Sequence, residues 1–271
     1  MPARVKGENM LKVSHLEAFN FEGAIRGMRQ PFKTTDKNDS WFGIAAERDF
    51  CYIIDDFIDS LELINPDKCS EEDYDEVDSI TEKYYDACRF GLSAVSYDLI
   101  GPKDLTLAEK LIRAGSPHDK FLRQIFVSMD IEAPLYFWKE MDTYKVGTVS
   151  DSESTMHTIM KDKFTKEMFA NDDSYYCDTF FGNVSFLEDQ IEILNFLREE
   201  YLTETDAETK NLLWRTLIQK LPSSYMQKRT WTGNYRVLRS IIEQRKNHKL
   251  IEWQQFIAQL SLLPYSSDFL F

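Results

Sequence analysis

The sequence has few of the residues that build metal sites and disulfide frameworks. It contains four cysteines and four histidines among 271 residues. Neither a CxxC pair nor a short spacing to a histidine occurs for the four cysteines, which are Cys51, Cys69, Cys88 and Cys177. Structural zinc sites and small disulfide-bonded domains depend on such spacings. The sequence therefore predicts no metal site and no disulfide, and we expect reduced thiols in a cytoplasmic protein.

Long apolar runs are also missing. No segment reaches the roughly 20 consecutive apolar residues that a transmembrane helix needs. The N-terminus shows no cationic stretch followed by an apolar one, which a secretory signal would have. We therefore expect neither secretion nor a membrane partner.

Basic residues are outnumbered by acidic ones. The chain has 46 acidic and 32 basic residues and a formal charge of −14. A protein of this charge repels a phosphate backbone, so polymeric nucleic acid is not an expected partner. A small anionic ligand is still allowed, because a few positioned arginines, lysines and backbone N–H groups can outweigh the global field inside a pocket.

The remaining composition is typical of a folded chain. Hydrophobic residues make up 43% and aromatic residues 14% of the sequence, enough to bury a sizeable core. The simplest prediction is one domain over residues 1–271. Near its start, apolar and polar residues alternate over 10–16 as they do in a strand, and apolar residues over 21–28 have the spacing of a helix. A second strand and helix are predicted on either side of Pro134.

Several further helices are predicted from apolar spacing and end signals. They cover 46–64, 105–114 and 234–260, and Ser70 can cap another. The acidic stretch 167–216 is predicted to be helical and to form an insertion or lid. An aromatic run in this stretch is best interpreted as packing; it consists of Phe169, Tyr175, Tyr176, Phe180 and Phe181.

Two separated segments carry specific patterns. The first begins with Gly115-Ser-Pro-His118 and continues, after Ala133-Pro134, with Lys139-Glu140 and Thr143-Tyr144-Lys145. It ends in a polar stretch that includes Thr148, Ser150 and Ser154. The second begins with Leu221-Pro222 and continues with Trp231-Thr-Gly-Asn-Tyr-Arg236. Behind this motif follow Leu238, Arg245, His248 and Glu252.

Together, and in this order, the two segments resemble the flavin-dependent thymidylate synthases over roughly a third of the chain. The resemblance implies an α+β domain with a central mixed or antiparallel sheet flanked by helices, here with the 167–216 insertion. It also implies a homotetramer whose active sites lie where subunits meet. FAD is the implied cofactor, and NADPH and methylenetetrahydrofolate are the implied co-substrates.

The resemblance also implies site residues. Asn234, Arg236, His248 and Ser150 match positions that contact FAD. Arg245, Glu140, Lys145 and Ser154 match positions that bind the uracil nucleotide, and Arg245 matches the arginine that holds the pyrimidine ring. A helix start offers free N–H groups to a phosphate, which suits Asn234 and Arg236. The alternatives are an ordinary N-cap for Asn234, a surface ion pair for Arg236 and an exposed helix-end histidine for His248.

The first segment departs from the family pattern in its charges. The family's Arg-Gln falls on Lys139-Glu140, and its Arg-His-Arg falls on Thr143-Tyr144-Lys145. A later arginine falls on Met156 or Thr155, and another, before the Leu-Pro turn, on Ile218. A carboxylate beside a phosphate is repulsive, so the usual monophosphate pocket is altered.

Three functions follow from these observations, and the sequence assigns no catalytic residue. One is the transfer of one carbon to carbon five of a uracil nucleotide with FAD and a reduced folate. Another is a catalytically silent protein that binds a nucleotide. The third is a related flavoenzyme acting on a different pyrimidine, one without the usual phosphate.

Overall fold

The computed structural model describes residues 10–61, 81–85, 87–90, 94–171 and 186–271. The chain forms two compact units. The first comprises Met1–Leu16, Ser128–Thr232 and Arg245–Gln259, and the second comprises Glu17–Val127, Gly233–Gln244 and Leu260–Phe271.

Seven strands and ten α-helices lie along the described residues. The strands are β1 (Lys12–Phe19), β2 (Trp41–Ala46), β3 (Cys88–Phe90), β4 (Ala94–Leu99), β5 (Phe126–Pro134), β6 (Val149–Ser152) and β7 (Met226–Asn234). The helices are α1 (Phe21–Arg29), α2 (Phe50–Ser60), α3 (Pro102–Arg113), α4 (Leu135–Met141), α5 (Thr155–Thr158), α6 (Phe186–Thr203), α7 (Ala207–Lys220), α8 (Tyr235–Arg245), α9 (Ile251–Leu260) and α10 (Ser266–Phe269). The predicted α+β class is confirmed as antiparallel sheets flanked by helices.

The first unit contains most of a four-stranded sheet with the order β1-β5-β7-β6. In β5, Val127, Met129, Ile131 and Ala133 are buried, whereas the residues between them are exposed or half-buried. This period of two gives the sheet one apolar face. The helices α6 and α7 bury a separate cluster that includes Phe164, Phe169, Leu194 and Leu217. The described part of 167–216 is therefore largely helical.

The second unit contains a three-stranded antiparallel sheet with the order β2-β4-β3. The helix α2 packs on it through Phe50, Ile54 and Phe57, all nearly inaccessible to solvent. Tyr265 is also buried, and its hydroxyl accepts from the backbone N–H of Ile100 at 2.8 Å and donates to the carbonyl of Asp98 at 2.7 Å. This buried hydroxyl is therefore fully hydrogen-bonded.

Several predicted elements are confirmed. The β-α start is β1 followed by α1, and the strand and helix around Pro134 are β5 and α4. The predicted helix at 105–114 begins three residues earlier, at Pro102, a residue that suits the first turn of a helix. It ends before Gly115, whose φ of +70° favours glycine. The helix capped by Ser70 and the aromatic residues 175–181 lie outside the described residues.

The prediction of one long helix over 234–260 is wrong, because the structure has α8 and α9 with a break between them. The break has its own hydrogen bonds: the Gln254 side-chain amide lies 3.1–3.4 Å from the carbonyls of Arg245, the last residue of α8, and of Lys246 and His248 in the break. Such side-chain donors replace the missing backbone partners at a helix end. The strands β2, β3, β4, β6 and β7 were not predicted from the sequence.

No helix among the described residues is long and apolar enough to cross a membrane.

Candidate functional site

Arg245, the last residue of α8, lies in a dense polar and aromatic cluster of the first unit. Its Nη1 is 2.8 Å from Oε2 of Glu140, and its Nε donates to the Tyr144 hydroxyl at 2.8 Å. The guanidinium carbon lies 4.8 Å from the centre of the Trp253 ring. An ion pair, a hydrogen bond and an aromatic face thus hold the same side chain.

Glu140, in the last turn of α4, is the centre of this cluster. Its Oε2 accepts from Arg245, from the indole Nε1 of Trp253 at 2.9 Å, and lies 3.3 Å from Nε2 of His248. Two hydrogen-bond donors and the His248 ring therefore meet at one carboxylate oxygen. We call Glu140, Tyr144, Arg245, His248 and Trp253 the Glu140 cluster.

The histidine of the cluster is oriented by its own backbone. Nδ1 of His248 accepts from the N–H of Leu250 at 3.2 Å. In the neutral ring the proton must then be on Nε2, the nitrogen that faces Glu140. In either protonation state an N–H at Nε2 therefore faces Glu140.

The aromatic side of the cluster is part of the core. Trp253 is buried and packs on Phe137 at 4.5 Å and Phe256 at 6.0 Å between ring centres. Next to it, buried Glu252 accepts a hydrogen bond from the Tyr136 hydroxyl. The helices α4 and α9 therefore supply Glu140 and Trp253 to the cluster, whereas Tyr144 and His248 lie in the segments that follow α4 and α8.

A second group of predicted residues lies at the start of α8, in the second unit. Oδ1 of Asn234 accepts from the N–H of Val237 at 3.1 Å, so Asn234 is the N-cap of the helix. Nε of Arg236 lies 2.8 Å from Oδ2 of Asp119, and Nη1 donates to Ser240. Asp119 is buried, and its Oδ1 has no hydrogen-bond partner among the described residues. The sequence offered a surface ion pair as the alternative role of Arg236. This alternative does not describe the observed ion pair, because its partner Asp119 is buried.

The structure brings together three of the eight predicted site residues, Glu140, Arg245 and His248. The other five have different surroundings. Asn234 and Arg236 occupy the start of α8. Exposed Ser150 on β6 lies opposite Trp231, and Lys145 is exposed in the turn after α4. Half-buried Ser154 begins α5, where its carbonyl accepts from Thr158.

Two residues of these groups were missed by sequence reasoning. Trp253 directly follows Glu252 in the second motif, and Asp119 directly follows the Gly-Ser-Pro-His turn. In each case, the position directly beside a motif was the signal in the sequence that could have identified the residue. Tyr144 was noted only as the loss of a histidine, whereas the structure shows it bound to Arg245.

A polar network also occupies the sheet of the first unit. Asp130 accepts from the Thr230 hydroxyl at 2.6 Å and lies 3.2 Å from both Lys228 and His15. The hydrogen bond from Thr230 and the nearby cations lower the pKa of Asp130 below its usual value.

The described residues contain no group of three or more His, Cys, Asp or Glu side chains that could hold a metal ion.

The comparisons with known proteins bear on the fold. No model of a protein family and no curated protein matches the sequence. A crystal structure of thymidylate synthase X (ThyX) from Helicobacter pylori, with FAD and dUMP, matches over 96% of both chains with a TM-score of 0.51 and 15% identity. The chain has the fold of ThyX.

A second structure of ThyX from Helicobacter pylori, complexed with FAD and dUMP, matches less completely. It covers 63% of this chain and 83% of its own, at 20% identity and a TM-score of 0.45. At these identities, the likeness to ThyX concerns the fold alone. The activity, ligands and site residues of this chain have to be argued from its own side chains.

Proposed function

We propose that this chain is a flavin-dependent enzyme of the thymidylate synthase type, which adds one carbon to carbon five of a uracil base. The observation that carries the proposal is the likeness over 96% of both chains to ThyX, which was crystallised with FAD and dUMP. The order of the two sequence motifs supports it independently. Methylenetetrahydrofolate is the proposed one-carbon donor, and NADPH the proposed source of electrons.

Arg245 is the residue proposed to hold the pyrimidine ring. A guanidinium has five N–H donors, of which Tyr144 and Glu140 engage two. Its plane is fixed by the Trp253 and Tyr144 rings, at 4.8 Å and 5.6 Å from the guanidinium carbon. A donor fixed in this way can bind a ring carbonyl with little further loss of side-chain entropy.

The start of α8 is proposed to contact FAD. Arg236 supplies a guanidinium for a phosphate oxygen, and buried Asp119 supplies a carboxylate oxygen without a partner among the described residues. The oxygen of Asp119 without a partner would suit a hydroxyl donor of FAD rather than one of its phosphates. When bound, the flavin supplies the hydride for the reduction of the added carbon. His248 and Ser150 remain proposed flavin contacts by resemblance.

A catalytically silent nucleotide-binding protein is the second candidate. It is favoured by the ion pair between Arg245 and Glu140, since an arginine already neutralised by a carboxylate is a weaker activating group for a bound base. This candidate shares the fold and the Glu140 cluster but predicts no product.

The visible spectrum of the purified protein and a product assay test the proposal together. Bound oxidised flavin should colour the protein yellow. Mass spectrometry of uracil nucleosides and nucleotides incubated with FAD, NADPH and methylenetetrahydrofolate should show the mass of one added methyl group. Bound flavin and nucleotide without product would favour the silent protein. A colourless protein that takes up no added FAD would refute the proposed flavin chemistry and the proposed FAD contacts.

Arg236→Lys tests the FAD contact, with Arg239→Lys as the matched control. Lysine keeps the charge beside buried Asp119, whereas alanine would leave this carboxylate unpaired at a cost of about 3–5 kcal/mol. Lysine lacks the planar fork, so Arg236→Lys should retain less flavin. Arg239 lies three residues further along α8 and pairs with Glu243, so its replacement should leave flavin content unchanged. Equal flavin content in both folded variants would contradict the assignment.

A further inference from the structure

We infer that Asp119 and Ser240 are positioning residues that fix the guanidinium of Arg236 for a phosphate of FAD, an inference that rests on the proposed function. All three residues belong to the second unit. Asp119 and Ser240 act through Arg236, which is the residue proposed to contact FAD.

Two nitrogens of the Arg236 guanidinium are already engaged. Nε lies 2.8 Å from Oδ2 of Asp119, and Nη1 donates to the Ser240 hydroxyl at 2.9 Å. Ser240 lies one helical turn further along α8. Nη2 has no partner among the described residues, and 24% of the Arg236 side chain is exposed. Nη2 is therefore the nitrogen that is left for a ligand.

The carboxylate of Asp119 is less completely hydrogen-bonded than a structural one in the same unit. Buried Asp104 uses both oxygens, which accept from Arg29, from the Ser40 hydroxyl and from the N–H of Asp39. The Asp119 side chain is only 3% exposed, yet its Oδ1 has no partner among the described residues. Because burying an incompletely satisfied carboxylate is unfavourable, the fold alone gives no reason for Asp119 to be there.

The start of α8 is attached by contacts that do not use this carboxylate. The N–H of Tyr235 donates to the carbonyl of Ile125 at 3.0 Å, and Asn234 caps the helix through the N–H of Val237. The ion pair of Asp119 is thus not needed to hold the first turn of α8, and what it determines is the orientation of Arg236.

An arginine held at two nitrogens binds a phosphate with a smaller loss of side-chain entropy. A mobile arginine would lose its rotamer freedom when the ligand binds, whereas Arg236 has lost it in the folded chain. Asp119 also neutralises part of the positive charge of Arg236, which by itself weakens the attraction to a phosphate. Its contribution to binding is therefore orientation, and a test has to keep the charge constant.

The affinities of FAD and riboflavin, measured by flavin fluorescence on protein freed of bound flavin, test the inference. Riboflavin has the ring system and ribityl chain of FAD but no phosphate. Asp119→Glu keeps the charge and displaces the carboxylate by one methylene, and Ser240→Ala removes a hydrogen bond without changing the charge. We expect the Kd of FAD to rise about tenfold for Asp119→Glu and about threefold for Ser240→Ala, with the Kd of riboflavin unchanged.

Asp98→Glu is the matched control. Asp98 is another buried aspartate of the second unit, and it pairs with Arg89 at 3.0 Å instead of Arg236. This variant should bind FAD and riboflavin as the parent does. A selective loss of FAD as large as that of Asp119→Glu would assign the effect to repacking and overturn the inference.

A double substitution tests whether Asp119 acts through Arg236. Arg236→Lys has no planar fork to orient, so adding Asp119→Glu should weaken FAD binding no further. An additional loss as large as that of Asp119→Glu alone would show that Asp119 acts independently of Arg236, and the positioning role would be wrong.

The remaining outcomes separate the inference from the proposed function. A parent that binds neither FAD nor riboflavin refutes both. A parent that binds FAD, with variants that bind it equally well or lose FAD and riboflavin alike, overturns the positioning role while the flavin chemistry stands. Ser240→Ala carries the same comparison if Asp119→Glu fails to fold.

Discussion

At the scale of single residues, the partner of a side chain decides its chemistry. Arg245 was expected to hold a pyrimidine, and the structure gives it a carboxylate and a phenol as partners. The two sequence departures that looked independent, Glu140 and Tyr144, both contact this arginine. They are therefore parts of one altered arrangement around Arg245.

Cys88 shows the same dependence on surroundings. Burial, followed by the nearby Asp98 carboxylate, raises the pKa of the Cys88 thiol to about 12. A raised thiol pKa disfavours the thiolate, so at pH 8 the reactive form of Cys88 is scarce. We predict that iodoacetamide labels exposed Cys51 in the native protein and leaves Cys88 unlabelled, as measured by peptide mass spectrometry. Both should react in urea; rapid native labelling of Cys88 would contradict the buried environment.

At the scale of elements, two substitutions of Asn234 distinguish its role as the N-cap of α8 from a contact with FAD. Asn234→Ala removes the hydrogen bond to the Val237 N–H and should lower the free energy of unfolding by about 1 kcal/mol. Asn234→Ser keeps a capping oxygen and should be nearly neutral in urea unfolding. Serine lacks the amide, so flavin lost from both variants would indicate contact with FAD. Flavin retained by the stable serine variant would indicate a cap alone.

The sheet of the first unit should contribute to the pH dependence of stability through Asp130. The pKa of Asp130 is lowered in the folded state, so its stabilising effect is present above the unfolded value, about 3.9, and is lost as the pH falls through the folded value. Urea unfolding at pH 7 and pH 3 should show a smaller acid-induced loss for Asp130→Asn than for the parent. Equal losses would mean that Thr230, Lys228 and His15 do not stabilise the ionised carboxylate.

At the scale of the whole molecule, the shared fold with ThyX extends over both compact units, while the single-domain boundary at 1–271 remains a prediction. The formal charge of −14 should keep the protein apart from polymeric nucleic acid at moderate salt. Its cytoplasmic location also remains a prediction. The fold is thus shown, whereas the assembly remains a prediction.

The resemblance to the flavin-dependent thymidylate synthases predicts that the whole molecule is a homotetramer. Light scattering at micromolar concentration should give about four times the chain mass of 31.9 kDa. Sites shared between subunits require such an assembly. A stable monomer that still binds flavin and a pyrimidine would show that each chain builds its own complete site.

The sequence by itself determined the elements whose cause is local. The alternation of 10–16, the helical spacing of 21–28 and the turn at Pro134 predicted β1, α1, β5 and α4, because side-chain period and backbone restriction act over a few residues. The spaced motifs also pointed to the ThyX fold, which the structural likeness supports. Strands without a clear alternation of apolar and polar residues, such as β6 and β7, were not predicted.

Only the tertiary structure decided how distant residues combine. Glu140 and Arg245 are 105 positions apart, and nothing in their local sequence pairs them. The break between α8 and α9 depends on the Gln254 amide reaching back to the carbonyls of α8, and apolar periodicity does not encode this hydrogen bonding. The ion pair of Arg236 needed the burial of Asp119, 117 positions away in sequence. Such contacts form because packing brings the elements together, so the polar partners of a side chain depend on the fold as a whole.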